Sequence, residues 1–182
     1  STLYRIKNNK YELIQIFPEN SLIVLCADRE GSVWIGTPVG LYRWPESAIT
    51  LLTEQQGLSL NWTYSILQDR AGAIWIGTWG GGLNKYENSR FVRYRLRADS
   101  EPDTVSSIYE DSSGMLWVGA NGGVSYFKND RFHKYDDESG FLNHDVWAIH
   151  QDRSGDLWFG TDSGLVQMKN DKLIVYTTKD GL

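Results

Sequence analysis

The sequence predicts an all-β protein, a β-propeller made of four-stranded antiparallel blades, and three observations predict it. The stretch at residues 69–82, DRAGAIWIGTWGGG, occurs four times with small changes, the other copies lying at 28–40, 111–123 and 152–164. Its tryptophans, Trp34, Trp75, Trp117 and Trp158, are spaced 41, 42 and 41 residues apart. Each has an Asp six residues before it, a Gly three before and a Gly two after. Between these marks the chain reads as short apolar runs broken by Gly, Asn and Asp. A period of this length is the mark of a solenoid or a propeller.

One repeat shows the strands in order. Residues 105–109 form a short apolar run, strand A, and 111–114 (DSSG) a turn. Residues 115–119 form strand B, 121–123 a second turn and 124–127 strand C. Asn129-Asp130 turns again, and 131–135 alternate polar and apolar as strand D. Four strands in about 41 residues are one propeller blade. No window of 11 or more residues keeps a helical apolar period free of Gly or Asn turns, so no helix is expected. A parallel β-solenoid is the structural rival, disfavoured because it uses much shorter repeats.

The ends can be placed the same way. Residues 3–6 match strand C of later repeats, Asn8-Asn9 the C–D turn and 11–16 strand D. The expected units are an incomplete blade at 1–17 and blades at 21–53, 61–95, 103–136 and 144–177, with a lead-in at 178–182. That lead-in ends in Gly181-Leu182, which matches Gly57-Leu58 and Gly140-Phe141 before other strands A. The count is eighteen strands, and the A–B pair of the first blade is missing. The expectation is a segment of a larger propeller in cis, or a ring closed by self-association in trans, because an open array exposes a strand edge and two apolar faces. Two local changes stand out: an extra residue at 79–82 (WGGG) and a shortened D–A connection at 17–21.

Composition narrows the function. The chain of 182 residues is 41% hydrophobic and 23% charged, as in ordinary globular proteins. Its 8 Trp, 10 Tyr and 6 Phe fall mostly at repeat positions, which points to packing. The net charge of −5 comes without a block of like charge, so neither nucleic-acid binding nor contact with an anionic membrane is expected. No apolar run reaches the roughly 18–20 residues that span a bilayer. The first ten residues lack the apolar core of a signal peptide, which leaves export open. Cys26 is the one cysteine and excludes an internal disulfide.

The repeated residues read as scaffold. A buried Trp removes roughly 150–250 Å² from water, about 4–6 kcal/mol gross. The Gly two residues on shares its face and makes room. The Asp accepts hydrogen bonds from turn amides and the next Gly supplies positive φ. One carboxylate per turn is too few oxygens for Ca²⁺, so no metal is expected.

This pattern resembles the two-component regulator propeller repeat: strand A, Asp-x-x-Gly, a run like Leu-Trp-Ile-Gly-Thr, then Gly-Gly-Leu and an aromatic. All four repeats match it, with Ala120 in place of Thr, Met168 in place of the strand-C aromatic, and no second Gly before Gly40. The resemblance implies a propeller that serves as the periplasmic or extracellular sensor of a hybrid two-component signalling protein, often for carbohydrate. It implies a sensory or interaction module, with no enzymatic activity and no cofactor in this chain.

A ligand site is expected where residues do not repeat, on the face where D–A and B–C connections meet. The D–A set holds Asn20, Asn61, Trp62, Asp103, Asn143, His144 and Asp145, and the B–C set Pro38, Trp79, Asn121 and Asp162. Tyr64 and Trp147 follow near the start of strand A. Aromatic platforms mixed with amides and carboxylates suit a sugar ring. Trp62 and Trp147 either line such a site or fill space around the axis. Trp79, beside three glycines on a turn, is the better exposed candidate. The histidines form no catalytic set: His133 lies in strand D, His150 at a strand-A packing position, and His144 next to Asp145, which an extended chain points the other way. The remaining readings are a scaffold for assembly, natural or engineered, and a propeller lyase or hydrolase.

Overall fold

Eighteen strands follow one another in a computed structural model that describes residues 2–16, 22–45, 48–96, 103–135 and 140–182. The connection at 17–21, with Asn20, lies outside the described residues. Strands β1 (Thr2–Lys7) and β2 (Lys10–Ile16) pair as a hairpin. Blade one follows with β3 (Val24–Ala27), β4 (Val33–Thr37), β5 (Gly40–Trp44) and β6 (Thr50–Leu52). Blade two is β7 (Thr63–Gln68), β8 (Ile74–Gly80), β9 (Gly82–Glu87) and β10 (Arg90–Tyr94). Blade three is β11 (Asp103–Glu110), β12 (Leu116–Ala120), β13 (Gly123–Lys128) and β14 (Arg131–Lys134). Blade four is β15 (Val146–Gln151), β16 (Leu157–Thr161), β17 (Gly164–Lys169) and β18 (Lys172–Tyr176). Within each blade neighbours in sequence pair antiparallel. The fold is the predicted all-β propeller architecture, four full blades and a half.

Turn chemistry explains the hairpins. Asn8-Asn9, Asn88-Ser89, Asn129-Asp130 and Asn170-Asp171 all take positive φ at both central positions, the twist that a two-residue hairpin needs. At the A–B turn the repeated Asp does more than hold amides. Asp28 Oδ1 accepts from the Ser32 amide at 2.6 Å, while Oδ2 accepts from Trp34 Nε1 at 2.7 Å. The same indole bond recurs from Trp75 to Asp69 at 2.7 Å, Trp117 to Asp111 at 2.8 Å and Trp158 to Asp152 at 2.8 Å. The six-residue spacing thus closes a clamp between the hairpin turn and the buried ring.

The hydrophobic core lies between blades. Trp34, Leu41 and Leu52 of blade one meet Leu58, Ile74 and Ile76 of blade two. Trp75 and Leu83 meet Val105, Leu116 and Val118 of blade three. Trp117 and Val124 meet Val146, Ile149 and Phe159 of blade four. The glycine two residues after each Trp lets these faces close: a Cβ on Gly77 would stand 2.6 Å from Val105 Cγ1, one blade on. His150 departs from expectation. Its strand-A position is a packing one in earlier blades, yet here the ring is exposed, edge-on to Tyr109 at 5.8 Å.

Among the described residues helical structure is confined to three-residue 3-10 turns at Glu54–Gln56, Phe141–Asn143 and Thr178–Asp180, where none was expected. Two share one capping box. Thr53 and Thr177 each accept from the amide two residues on at 3.2 Å, and Gln56 or Asp180 reaches back to the cap amide. Gly57 and Gly181 end them at φ 107° and 97°, which accounts for the repeated Gly-Leu pair. Among the described residues no helix is long and apolar enough to cross a membrane.

Candidate functional site

The D–A and B–C connections meet on one face through repeated backbone bonds. The amide of Trp79 donates to Trp62 O at 2.9 Å, Asn121 to Thr104 O at 3.0 Å and Asp162 to Asp145 O at 3.1 Å. Each pair presents its side chains at the same end of its blade. Trp79 is not on a turn, as its glycines suggested. The extra residue of blade two extends β8 through Trp79 and Gly80, which pair with Thr104 and Asp103 of β11 and join two blades into one sheet.

The result is an aromatic surface in blade two. Trp62 stacks on Trp79 with centroids 5.9 Å apart and an interplanar angle of 29°, and Tyr64 tilts against Trp79 at 5.4 Å. Trp62, Trp79 and Trp147 remain 45%, 43% and 45% exposed among the described residues.

Beside this surface lies a cavity of about 210 Å³, lined by Trp79, Thr104, Ser106, Asn121, Asp145 and Trp147. Its cause is a small residue. Tyr64, Ser106 and Trp147 occupy one strand-A position in blades two, three and four. Serine leaves open the volume that an aromatic ring fills in its neighbours. The Ser106 hydroxyl lies within hydrogen-bond reach of Gly119 O at 3.1 Å and of Val146 O of the next blade, and its one proton is shared between them. Trp79 therefore comes from the blade before the gap and Trp147 from the blade after it.

Polar groups line the rest. Asn121 Oδ1 accepts from the Thr104 amide at 2.8 Å. Asp145 Oδ1 accepts from the Gly122 amide at 2.9 Å, which fixes the carboxylate, while Oδ2 has no hydrogen-bond partner among the described residues. Asp145 is the one ionisable side chain lining the cavity. Of the predicted site residues, Trp79, Asn121, Asp145 and Trp147 come together here. Thr104 and Ser106 join them unpredicted.

The other candidates lie elsewhere. Asn61 ties down the 3-10 turn, accepting from the Glu54 amide at 2.9 Å. Asp103 is buried and accepts from the Leu96 amide at 3.0 Å. Both fasten D–A connections. His144 meets Asp162 Oδ1 at 3.4 Å and Ser163 Oγ at 3.0 Å through the same Nδ1. Among the described residues no three His, Cys, Asp or Glu gather as a metal site.

A larger groove of about 420 Å³ runs between blades one and two at the A–B end, lined by Asp28, Trp34, Arg43 and Tyr86 among others. Its groups are already engaged: Asp28 holds Trp34, and the Arg43 guanidinium covers the Trp34 ring at 5.2 Å. It is a seam of the scaffold.

Comparison with known proteins agrees with this architecture. The sequence profile of the two-component regulator propeller matches residues 57–80, 99–122 and 140–163. Curated protein sequences give no match. Among solved structures, the extracellular domain of the hybrid two component system BT3049 from B. thetaiotaomicron superposes with TM-score 0.81 at 25% identity, over 94% of this chain and 25% of that one. The extracellular domain of BT4673, a one component system of the same organism, gives TM-score 0.79 at 25% identity over 93% and 24%. The chain thus spans about a quarter of the length of these two domains. Virginiamycin B lyase from Staphylococcus aureus, at 15% identity and TM-score 0.76 over 97% and 62%, shares the fold. Repeat motif, blade geometry and profile converge: the chain carries repeats of the two-component regulator propeller type.

Proposed function

We propose that this chain is a non-enzymatic ligand-sensing segment of an extracytoplasmic signalling propeller, and that its ligand is a small carbohydrate held between blades two and four. The observation that carries the reading is the cavity opened by Ser106 beside Trp79 and Trp147. At about 30 Å³ per water it holds roughly seven waters, the room of one sugar ring. Ring C–H faces stack on indoles, and Asp145 Oδ2 with the Thr104 hydroxyl accepts or exchanges hydrogen bonds with sugar hydroxyls. The extracellular setting of the BT3049 and BT4673 domains supports the location.

The test is calorimetric titration with a panel of neutral mono- and disaccharides. Trp79→Ala and Trp147→Ala should each weaken the best binder at least tenfold while the melting temperature stays near that of the parent, because both rings are nearly half exposed. Affinity unchanged from the parent in both variants, or no binding by any saccharide of the panel, would remove the site.

A further inference from the structure

The cavity beside Trp79 carries a charge that a neutral ligand leaves unanswered. Asp145 is the one ionisable side chain of its lining, so among the described residues no lysine, arginine or histidine of the lining balances it. The carboxylate is tied down through one oxygen. Oδ1 accepts from the Gly122 amide at 2.9 Å, while Oδ2 has no hydrogen-bond partner among the described residues. His144, next in the chain, is engaged with Asp162 and Ser163 and is not part of the lining.

The remaining groups suit a cation. Thr104, Ser106 and Asn121 bring oxygens that accept hydrogen bonds. The one proton of the Ser106 hydroxyl is shared between Gly119 O and Val146 O, which leaves its oxygen to accept. An ammonium group is the complement of such a set, because it donates in several directions and accepts in none. Trp79 and Trp147 stand in the blades before and after the gap, both nearly half exposed. Indole faces attract cations, and more so where water is excluded. A metal ion does not fit, since one carboxylate supplies too few oxygens and among the described residues no metal-ligating cluster gathers. At about 210 Å³ the cavity also exceeds what a bare ammonium fills and has room for a ring.

We infer that the ligand is an amino sugar: one pyranose ring whose protonated amine donates to Asp145 Oδ2 and lies against Trp79 and Trp147. The inference rests on the carbohydrate reading above and names the class within it. The same carboxylate disfavours uronic acids, whose own carboxylate would be brought against a like charge. The net charge of −5 acts in the same direction, drawing cations toward the chain and repelling anions.

The experiment is calorimetric titration of the full chain at a pH where the amine is charged. Glucose, galactose and mannose are each compared with their 2-amino and N-acetylated 2-amino forms, with glucuronate and choline as further probes. In the best series the amino sugar should bind about tenfold or more tighter than both neutral forms, through the charge-assisted bond and the indole faces. Glucuronate should bind more weakly than glucose. Asp145→Asn keeps an oxygen for the Gly122 amide and should bring the ratio of amino to neutral sugar to within about threefold. Added salt should shrink that ratio in the parent chain, a reading that needs no variant. A neutral sugar bound as tightly as its amino form overturns the amine and leaves the carbohydrate site standing. A preference that survives both Asp145→Asn and salt overturns it as well. Choline bound as tightly as the best amino sugar gives the cavity to an alkylammonium and overturns the ring. No binding by any of these sugars overturns the inference together with the reading beneath it.

Discussion

Removing one carboxylate of the Asp–Trp clamp should cost far more than its size suggests. Asp111 accepts from the Ser113 amide at 2.8 Å, the Ser113 hydroxyl at 2.6 Å, the Met115 amide at 3.0 Å and Trp117 Nε1 at 2.8 Å. In Asp111→Ala the Ser113 groups turn to water at an exposed loop. The indole N–H cannot, because Trp117 is 8% exposed, and an enclosed donor without an acceptor costs about 1–3 kcal/mol. The Met115 amide adds about 1 kcal/mol, for a total of about 2–4 kcal/mol. In a chain of this length that is roughly 5–15 °C in melting temperature. The clamp also predicts a pH dependence. Burial, the largest influence, pushes the Asp111 carboxyl up, but the bonds from Ser113, Trp117 and Met115 outweigh it and bring it below the usual value. A carboxyl lowered in the folded state contributes stability that is complete above its unfolded value, about 4, and lost as pH falls through the folded one. Asp111→Asn cannot titrate and keeps an acceptor for either the indole or the amides, not both. It should lose less than the alanine variant at neutral pH and show a shallower acid limb. Urea denaturation followed by tryptophan emission between pH 7 and pH 2 measures both. A loss under about 1 kcal/mol for Asp111→Ala, or an acid limb of Asp111→Asn as steep as the parent's, would refute the clamp.

The remaining predictions use the same assay unless stated. A Cβ on Gly119 would stand 2.4 Å from Ser107 Oγ and 2.8 Å from Val146 Cγ1, whereas on Gly160 it would meet only Ala148 Cβ at 3.6 Å. Gly119→Ala should therefore destabilise by about 1–3 kcal/mol and Gly160→Ala by almost nothing. Arg70→Ala should cost about 1 kcal/mol, since the guanidinium it removes is partly exposed but bonds two carbonyls of the next turn. Ser106→Tyr places in blade three the ring that Tyr64 carries in blade two; titration should show saccharide binding lost from a protein that still melts cooperatively.

The blades were legible in the sequence because one set of constraints is stated four times. Trp34, Trp75, Trp117 and Trp158 with their Asp and Gly partners reveal strand, turn and face before any coordinate is known. The indole–carboxylate bond was hidden only by distance: six residues across a hairpin bring Asp28 and Trp34 side by side, and the fixed spacing was its signal. The site was legible in part. Trp79 could be singled out as exposed, but three glycines suggested a turn, and pairing with Asp103 and Thr104 prevailed over local turn chemistry. Thr104 and Ser106 escaped notice because a cavity is made by what is small, and small residues carry no chemical mark. Aligning Tyr64, Ser106 and Trp147 as one column would have exposed the gap. His150 departs for a different reason: a strand-A position packs only when another sheet covers it.

Placing each hydrophobic cluster between two blades has a consequence for how such chains can change. A blade shares its hydrophobic core with its neighbours, so replacing one requires agreement with two surfaces at once. A side chain at the mouth of the cavity, such as Ser106 or Asp145, answers to neither surface in full. Descent by duplication can therefore conserve the seams while the mouth drifts, and two chains of one blade geometry can come to recognise different molecules.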